Sequence, residues 1–82
     1  MYYVYMLRCS DDTLYTGITT NLKRREVEHN TSDKGAKYTR IRRPVKLVYS
    51  EEHTDRSTAS KREYYIKKKM TRAEKLKLIL SL

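Results

Sequence analysis

The pattern of apolar and polar positions predicts a β-hairpin at the start of the chain. Residues 2–9 alternate with apolar or aromatic side chains on both faces, which is typical of a strand that is covered on both sides. Residues 10–13, Ser-Asp-Asp-Thr, have the composition of a turn. Residues 14–19 are then predicted to form the returning strand.

A helical period follows the hairpin. Thr20 or Asn21 can cap a first helix that runs to about Asn30. The stretch 31–43 has no clear period, and within it 36–40 are predicted to form either a short helix or a basic loop. The first helix is therefore clearly predicted, whereas the secondary structure of residues 31–43 stays open.

The rest of the chain predicts a third strand and a long helix. Pro44 can stand at the start of the strand, where its missing N–H is tolerated, and 45–50 alternate as a strand should. Thr54 or Asp55 then opens a helix that runs to about Met70.

A final helix is predicted after a capping box, because Thr71 and Glu74 have the Thr-x-x-Glu spacing. An apolar stripe of this helix should dock on the rest of the domain, and it consists of Ala73, Leu76, Ile79 and Leu80. The predicted order is β-β-α-(short α)-β-α-α. A chain of 82 residues has too little buried surface for two cores, so we expect one domain over residues 1–82.

Charge is the strongest signal in the composition. The formal net charge is +9: residues 1–33 hold four Lys and Arg against five Asp and Glu, a net −1, and residues 34–82 hold fifteen against five, a net +10. Such a domain should attract polyanions, which favours nucleic-acid binding over a basic protein without a specific partner. Membrane-surface binding is disfavoured, because the basic helices lack a large aromatic apolar face.

All eight aromatic residues are tyrosines, and there is one cysteine. A small core that uses Tyr in place of Phe explains most of them, although each buried hydroxyl needs a partner. Cys9 cannot form an internal disulfide and is predicted to be a small buried hydrophobic residue, which fits a reducing compartment. With no charged-then-apolar leader and no apolar run of membrane-spanning length, the chain is expected to be cytoplasmic.

The long helix carries a carboxylate on its apolar stripe. Glu63 lies on the same stripe as Ala59, Ile66 and Met70, and an inward carboxylate is unfavourable unless it meets a cation or a metal. The alternative is a surface ion pair between Glu63 and Lys67, four residues later. Both interpretations stay open from periodicity alone.

The first helix presents a second group of polar residues on one face, next to Leu22. If Leu22 anchors that face to the sheet, Arg25 lies beside the sheet edge, where its guanidinium can bind a phosphate through two nitrogen atoms. Glu26 and His29 share the face. A single histidine such as His29 is by default a surface or packing residue, and a catalytic role is the alternative.

The order of these features resembles the GIY-YIG nuclease family. The resemblance rests on Tyr-Val-Tyr at 3–5 in the first strand and Tyr-Thr-Gly at 15–17 in the second, followed by a basic helix. Tyr3 stands in place of the first motif's glycine, and Thr16 in place of the second motif's isoleucine. The resemblance extends to about Lys68 and points to the small stand-alone bacterial branch. That branch is related to the amino-terminal nuclease domain of UvrC and to the catalytic subunit of a eukaryotic branched-DNA nuclease.

The resemblance implies a fold and a site. The fold is α+β, with a small three-stranded, largely antiparallel sheet flanked by helices. The implied catalytic residues are Tyr5, Tyr15, Arg25, His29 and Glu63, and Gly17 is the structural glycine of the second motif. Glu63 would bind one Mg²⁺ or Mn²⁺ ion. Tyr5 would be the general base, which requires Arg25 or the metal to lower its pKa from about 10.

The implied function is metal-dependent hydrolysis of DNA phosphodiester bonds with low sequence specificity, in DNA repair or recombination. Whether the enzyme selects particular DNA structures stays open. The DNA backbone would meet a basic set, namely Lys37, Arg40, Arg42, Arg43, Lys67 and Lys68. The family often has a polar Asn after its glutamate, and 64–82 do not clearly supply one.

That departure favours the alternative, a catalytically weak or inactive nucleic-acid-binding module that acts with a protein partner. An RNA-binding protein would explain the charge but not the four residues Tyr5, Tyr15, Arg25 and Glu63 together. The oligomeric state stays open.

Overall fold

The computed structural model describes residues 1–81, and its elements follow the predicted order. The strands are β1 (Tyr2–Arg8), β2 (Leu14–Thr19) and β3 (Lys46–His53). The helices are α1 (Leu22–Thr31), α2 (Lys37–Arg40), α3 (Arg56–Lys69) and α4 (Arg72–Leu80). The α+β class and the three-stranded sheet are thus confirmed, and the ambiguous basic segment forms the short helix α2.

The sheet is antiparallel and has the order β2-β1-β3, so that β1 is paired along both edges. Its central residue Tyr5 lies opposite Gly17 of β2 and opposite Ser50 of β3. The pairing with β3 shifts its register between Met6 and Leu7. A strand held on both sides cannot slide, and Tyr5 is therefore fixed relative to both neighbouring strands.

Two clusters of apolar side chains form around β1, whose successive residues point to opposite faces of the sheet. One buried cluster consists of Val4, Met6, Tyr49, Ala59 and Ile66. The other consists of Tyr5, Leu7, Cys9 and Val45, with Leu22 packed against it. Cys9 is free and buried, and burial raises the pKa of its thiol. Within residues 1–81, no helix is long and apolar enough to cross a membrane.

The helices begin where the sequence predicts. Asn21 caps α1 and Asp55 caps α3, each through a side-chain oxygen that accepts a backbone N–H. Thr71 and Glu74 form the capping box of α4. These caps fix the starts of the two helices, α1 and α3, that carry Arg25 and Glu63.

The docking face of α4 differs from the predicted stripe. Leu78 and Ile79 pack against the first cluster, whereas Ala73 is exposed and Leu80 is 84% exposed. Successive helix residues are about 100° apart, so a face centred between Leu78 and Ile79 leaves Ala73 and Leu80 roughly on the opposite side. Leu76 lies between the two and is half-buried.

Candidate active site

Tyr5 crosses directly over the glycine of the neighbouring strand. Tyr5 and Gly17 are register partners, and Tyr5 is only 2% exposed. A Cβ atom at position 17 would lie 2.5 Å from the Tyr5 hydroxyl oxygen and 2.6 Å from the ring carbon that carries it. Glycine is therefore required at this position because the tyrosine ring occupies the space of any side chain.

The Tyr5 hydroxyl belongs to a buried hydrogen-bond network around His29. The hydroxyl oxygen is 2.8 Å from His29 Nε2. On the other side of the ring, His29 Nδ1 is 2.8 Å from Thr39 Oγ1 and 3.3 Å from the backbone nitrogen of Ala36. The Thr39 hydroxyl donates to the Ala36 carbonyl at 2.9 Å. Two contacts compete at Nδ1: the Ala36 N–H points at it from 3.3 Å, which suits an unprotonated Nδ1, and the Thr39 oxygen lies at 2.8 Å, where it can accept from Nδ1–H. The shorter contact favours the Nδ1–H tautomer, in which Nε2 accepts from Tyr5.

Burial changes the protonation of both partners. It lowers the pKa of His29 to about 4, and the nearby Arg25 guanidinium acts in the same direction. The imidazole is therefore neutral at pH 7. Burial also raises the pKa of Tyr5 to about 12, although Arg25 favours the phenolate. Arg25 alone thus does not bring the Tyr5 pKa into the neutral range, because desolvation outweighs the charge.

Tyr15 contacts His29, and the Glu63 carboxylate is close enough to affect the pKa values of Tyr5 and Tyr15. The Tyr15 and His29 rings meet edge to face, with centroids 5.3 Å apart. Burial raises the pKa of Tyr15, with Arg25 opposing and Glu63 adding to the rise, and the same two charges act on Tyr5. The fold therefore brings together residues from β1, β2, α1 and α3 that are far apart in the sequence.

Arg25 is half-buried and held by two contacts. Its Nη1 donates to Glu28 Oε1 at 3.0 Å and to the Lys34 carbonyl at 2.7 Å. Burial acts to lower the pKa of Arg25, but Glu28 and Tyr5 outweigh it and the pKa is raised. The guanidinium stays charged, and its orientation is fixed by the protein.

Glu63 is half-buried, and none of the ion pairs within residues 1–81 includes it. The alternative pair with Lys67 is absent. Instead, the Lys67 ammonium lies 5.5 Å from the centroid of the Tyr15 ring. The Glu63 carboxylate is thus free to bind an incoming cation.

A single carboxylate limits which metal the site can hold. No group of three or more His, Cys, Asp or Glu side chains in the described part of the chain could form a metal cage. Mg²⁺ is commonly bound through one or two carboxylates, with water and substrate phosphate oxygens completing its shell. The donor set around Glu63 fits such an ion and does not fit a zinc site.

The predicted DNA-contacting residues fall into two groups. Arg43 donates to the carbonyls of His29 and Ser32 at 2.6 and 2.7 Å, and Arg42 pairs with Asp11 at 3.0 Å. Both of these side chains are therefore held by contacts with other residues of the chain, those of Arg42 at the surface. The exposed members are Lys37, Arg40, Lys67 and Lys68. The nucleic-acid contacts of this group stay a prediction.

Sequence reasoning missed the part of the site that comes from the basic segment. A Cβ at Gly35 would lie 2.8 Å from the Glu28 carbonyl oxygen and from His29 Cα. Gly35 therefore lets the segment pass against α1, which delivers Ala36 and Thr39 to the histidine. An isolated glycine often marks such a close backbone approach, and this signal was present in the sequence.

Comparison with known proteins defines the class. The sequence profile of the GIY-YIG catalytic domain matches residues 1–77. The chain therefore belongs to the GIY-YIG family. The predicted resemblance is confirmed over nearly the whole chain.

Within that family, its relatives include several UPF0213 proteins. The chain is 67% identical over 66 residues to one from Desulfotalea psychrophila, and the alignment covers 80% of this chain and 60% of that protein. It is 60% identical to one from Syntrophus aciditrophicus, covering 94% and 87% of the two chains. The solution NMR structure of a UPF0213 protein from Bacillus halodurans is 41% identical, with a TM-score of 0.62, and the match covers 99% of this chain and 85% of that one.

Proposed function

We propose that this protein is an endonuclease that hydrolyses DNA phosphodiester bonds with one divalent metal ion, Mg²⁺ or Mn²⁺. The observation that carries the proposal is that Tyr5 and Tyr15 both contact His29, while the charges of Arg25 and Glu63 both act on the two tyrosines. Family membership supports the nuclease class. The net charge of +9 supports backbone binding without sequence preference, as a nuclease in DNA repair or recombination needs.

Arg25 would stabilise the charge that develops on the phosphoryl oxygens. Its guanidinium is already oriented by Glu28 and the Lys34 carbonyl, so little reorganisation accompanies the reaction. Tyr15 would position the attacking water or the phosphate.

Tyr5 would act as a base by passing its proton on. Its hydroxyl is protonated at neutral pH, because burial raises its pKa to about 12. As the Tyr5 oxygen accepts a proton from the attacking water, the phenolic proton moves to His29 Nε2, 2.8 Å away. His29 is neutral at pH 7 and has the lone pair that this transfer requires.

Glu63 would hold the metal ion, with water and phosphate oxygens as the remaining ligands. When bound, the ion would stabilise the negative charge on the leaving oxygen. Tyr5, His29 and Arg25 would not bind the metal ion, and the roles proposed for them above do not depend on binding it.

A cleavage assay tests the proposal. It uses branched, nicked, single-stranded and double-stranded DNAs, each with Mg²⁺, with Mn²⁺ and with EDTA. Wild type should cut only with metal, and Glu63→Gln and Arg25→Ala should abolish cutting. Glu63→Gln should bind DNA as well as wild type or more tightly, because it removes a negative charge. Glu52→Gln, at an exposed carboxylate of β3, is the matched control and should cut normally. Cutting by Glu63→Gln at the wild-type rate would show that the site is wrongly assigned.

The burial of Tyr5 favours a second candidate, a nucleic-acid-binding module that is weakly active or inactive alone. A phenol with a pKa of about 12 is a poor base unless a partner or substrate changes its surroundings. Tight, salt-sensitive DNA binding by wild type without cleavage of any of these DNAs would select this candidate. A protein partner would then supply activation or substrate choice.

A further inference from the structure

A cavity of about 320 Å³ lies where β2 ends and where α1 and α3 begin. Its lining includes Ile18 and Thr19 of the edge strand β2, which follow Gly17 of the candidate site. Arg25, which the proposed function places at the reacting phosphate, lines this cavity as well. The cavity therefore borders the candidate site along the outer edge of the sheet.

Three arginines from two helices line this cavity. Arg24 and Arg25 come from the start of α1, and Arg56 is the first residue of α3. The one carboxylate of the lining, that of Glu28, accepts from Arg25 Nη1 at 3.0 Å and lies 3.8 Å from Arg24 Nε. Arg56 takes part in no ion pair among residues 1–81. Three guanidinium groups and one carboxylate leave the lining with a net charge of +2.

This placement of the arginines does not stabilise the two helices. Positive charges near the amino end of a helix oppose its dipole, and like charges around one cavity repel each other. The first turns of α1 and α3 hold no acidic residue that would offset these effects. An anion in the cavity would relieve both of them. Guanidinium groups suit a phosphate in particular, because their planar N–H groups can bind two phosphate oxygens at once.

We propose that this cavity is a second phosphate-binding site, which holds a phosphate group that flanks the cleaved bond on the same DNA strand. Arg24 and Arg56 bind this phosphate from two sides, and Arg25 lies between it and the reacting phosphate. The substrate is therefore a strand with at least two phosphates, and a lone phosphodiester is bound less tightly. This inference rests on the proposed function, because it takes Arg25 to lie at the reacting phosphate.

Titration with inorganic phosphate in EDTA tests whether the cavity binds a phosphate group. The NMR signals of the arginine Nε–H groups would be followed at constant ionic strength, with chloride as the anion that phosphate replaces. The signals of Arg24 and Arg56 should shift in the wild-type protein. Arg56→Gln should weaken phosphate binding by about 3- to 10-fold, because one charged donor is lost. Lys61→Gln is the matched control, because Lys61 is an exposed cation of α3 outside the cavity, and it should bind phosphate as wild type does.

Short DNAs in EDTA test whether that phosphate group belongs to a DNA strand. The probes are a thymidine trinucleotide, which has two phosphates, and an analogue in which one of the two is an uncharged methylphosphonate. Wild type and Lys61→Gln should bind the fully charged trinucleotide more tightly than the analogue, by about 3- to 10-fold. Arg56→Gln should bind the two probes nearly equally, because it has lost a contact to the second phosphate.

Arg24 and Arg56 signals that do not move with phosphate, or equal effects of Arg56→Gln and Lys61→Gln, would overturn the inference. Phosphate binding that depends on Arg56, without such a dependence for the trinucleotide, would indicate a site for free phosphate and overturn its assignment to DNA. Trinucleotide binding that depends on Arg56, without cleavage of any DNA in Mg²⁺, would support the cavity and count against the nuclease proposal alone.

Discussion

The Tyr5 ring fills the space that a side chain at position 17 would need, so that only glycine fits there. The glycine has no conformational role, since none of the glycines in the described residues has a positive φ. It is needed because the Tyr5 ring passes over its Cα. The second motif's glycine thus serves the first motif's tyrosine, and the two motifs form one structural unit across β1 and β2.

Gly17→Ala should remove cleavage and lower the free energy of unfolding by about 1–3 kcal/mol, as overpacking of a filled core does. The new methyl group would push the Tyr5 hydroxyl away from His29 Nε2. Cleavage rates and urea unfolding would measure the two effects. Ser50→Ala changes the other register partner of Tyr5 and should leave both nearly unchanged. A Gly17→Ala variant as active as wild type would contradict this account.

His29 should make stability depend on pH in a defined window. Burial lowers its pKa from the ordinary 6.5 to about 4, so the unfolded chain binds a proton between these values that the folded protein does not. The contribution is fully present above pH 6.5 and is lost as the pH falls from 6.5 toward 4. A shift of this size corresponds to on the order of 3 kcal/mol.

Urea unfolding at pH 7.5, 6 and 5 would measure that loss. His29→Gln should flatten the dependence between pH 5 and 7.5, because no group titrates at that position. His53→Gln, at the other histidine, should retain it. An equal flattening by both substitutions would show that His29 is not the source.

Helix α1 carries two residues of the candidate site, Arg25 and His29, and both of its ends are held in place. Its amino end is capped by Asn21, and its carboxyl end is held by Arg43, which donates to the carbonyls of His29 and Ser32. A cation at a helix carboxyl end also complements the helix dipole. Arg43, predicted as a DNA contact, therefore acts in this structure as a clamp between the segment before β3 and α1.

Arg43→Gln should lower the free energy of unfolding by about 1–3 kcal/mol, because hydrogen bonds from a charged donor are lost. Its effect on DNA binding should be small at temperatures where the variant is folded. Arg40→Gln is the matched control: Arg40 is exposed and its hydrogen bond to the Asp33 carbonyl, at 3.1 Å, is exposed too, so its loss should change stability little. Denaturant unfolding and DNA titration of the two variants would separate these roles. A stable Arg43→Gln variant with weakened DNA binding would instead support the predicted DNA contact of Arg43.

The net charge of the whole molecule is expected to control how strongly it associates with DNA. A net charge of +9 on a 9.9 kDa chain predicts affinity for DNA that falls steeply with salt, because each neutralised phosphate releases condensed counterions. The exposed lysines Lys67 and Lys68 are the members of the predicted set that lie on α3 beside Glu63. They are expected to contact phosphates on either side of the reacting one.

Lys67→Gln and Lys68→Gln should each reduce the slope of log K against log salt by about one, the effect of losing one phosphate contact. Binding would be measured in EDTA at several salt concentrations. Lys77→Gln, on α4 in a region with no site residue, has the same change of charge and should leave the slope unchanged. Equal effects at all three positions would show that only net charge matters.

Much of the fold was predictable because it depends on local signals. Alternation defined β1 and β2, Asp55 and Thr71 marked helix starts, and the family motifs gave the α+β arrangement. The error in α4 arose because Ala73 and Leu80 are apolar in a helix whose contact face is centred elsewhere. A short stripe does not say which of its members meets the core, since that depends on where the partner surface lies.

The order of elements, the family and the residue types that could do the chemistry can be read from the sequence, because each depends on neighbouring positions. The protonation and the contacts of those residues depend on the folded chain. Burial set the pKa of Tyr5 near 12 and that of His29 near 4. Among residues 1–81, Glu63 has no ion-pair partner. The fold also delivered Thr39 to His29 through the close passage at Gly35, and it turned Arg43 inward. Desolvation and long-range contacts depend on which distant segments surround a group, and no local pattern encodes them.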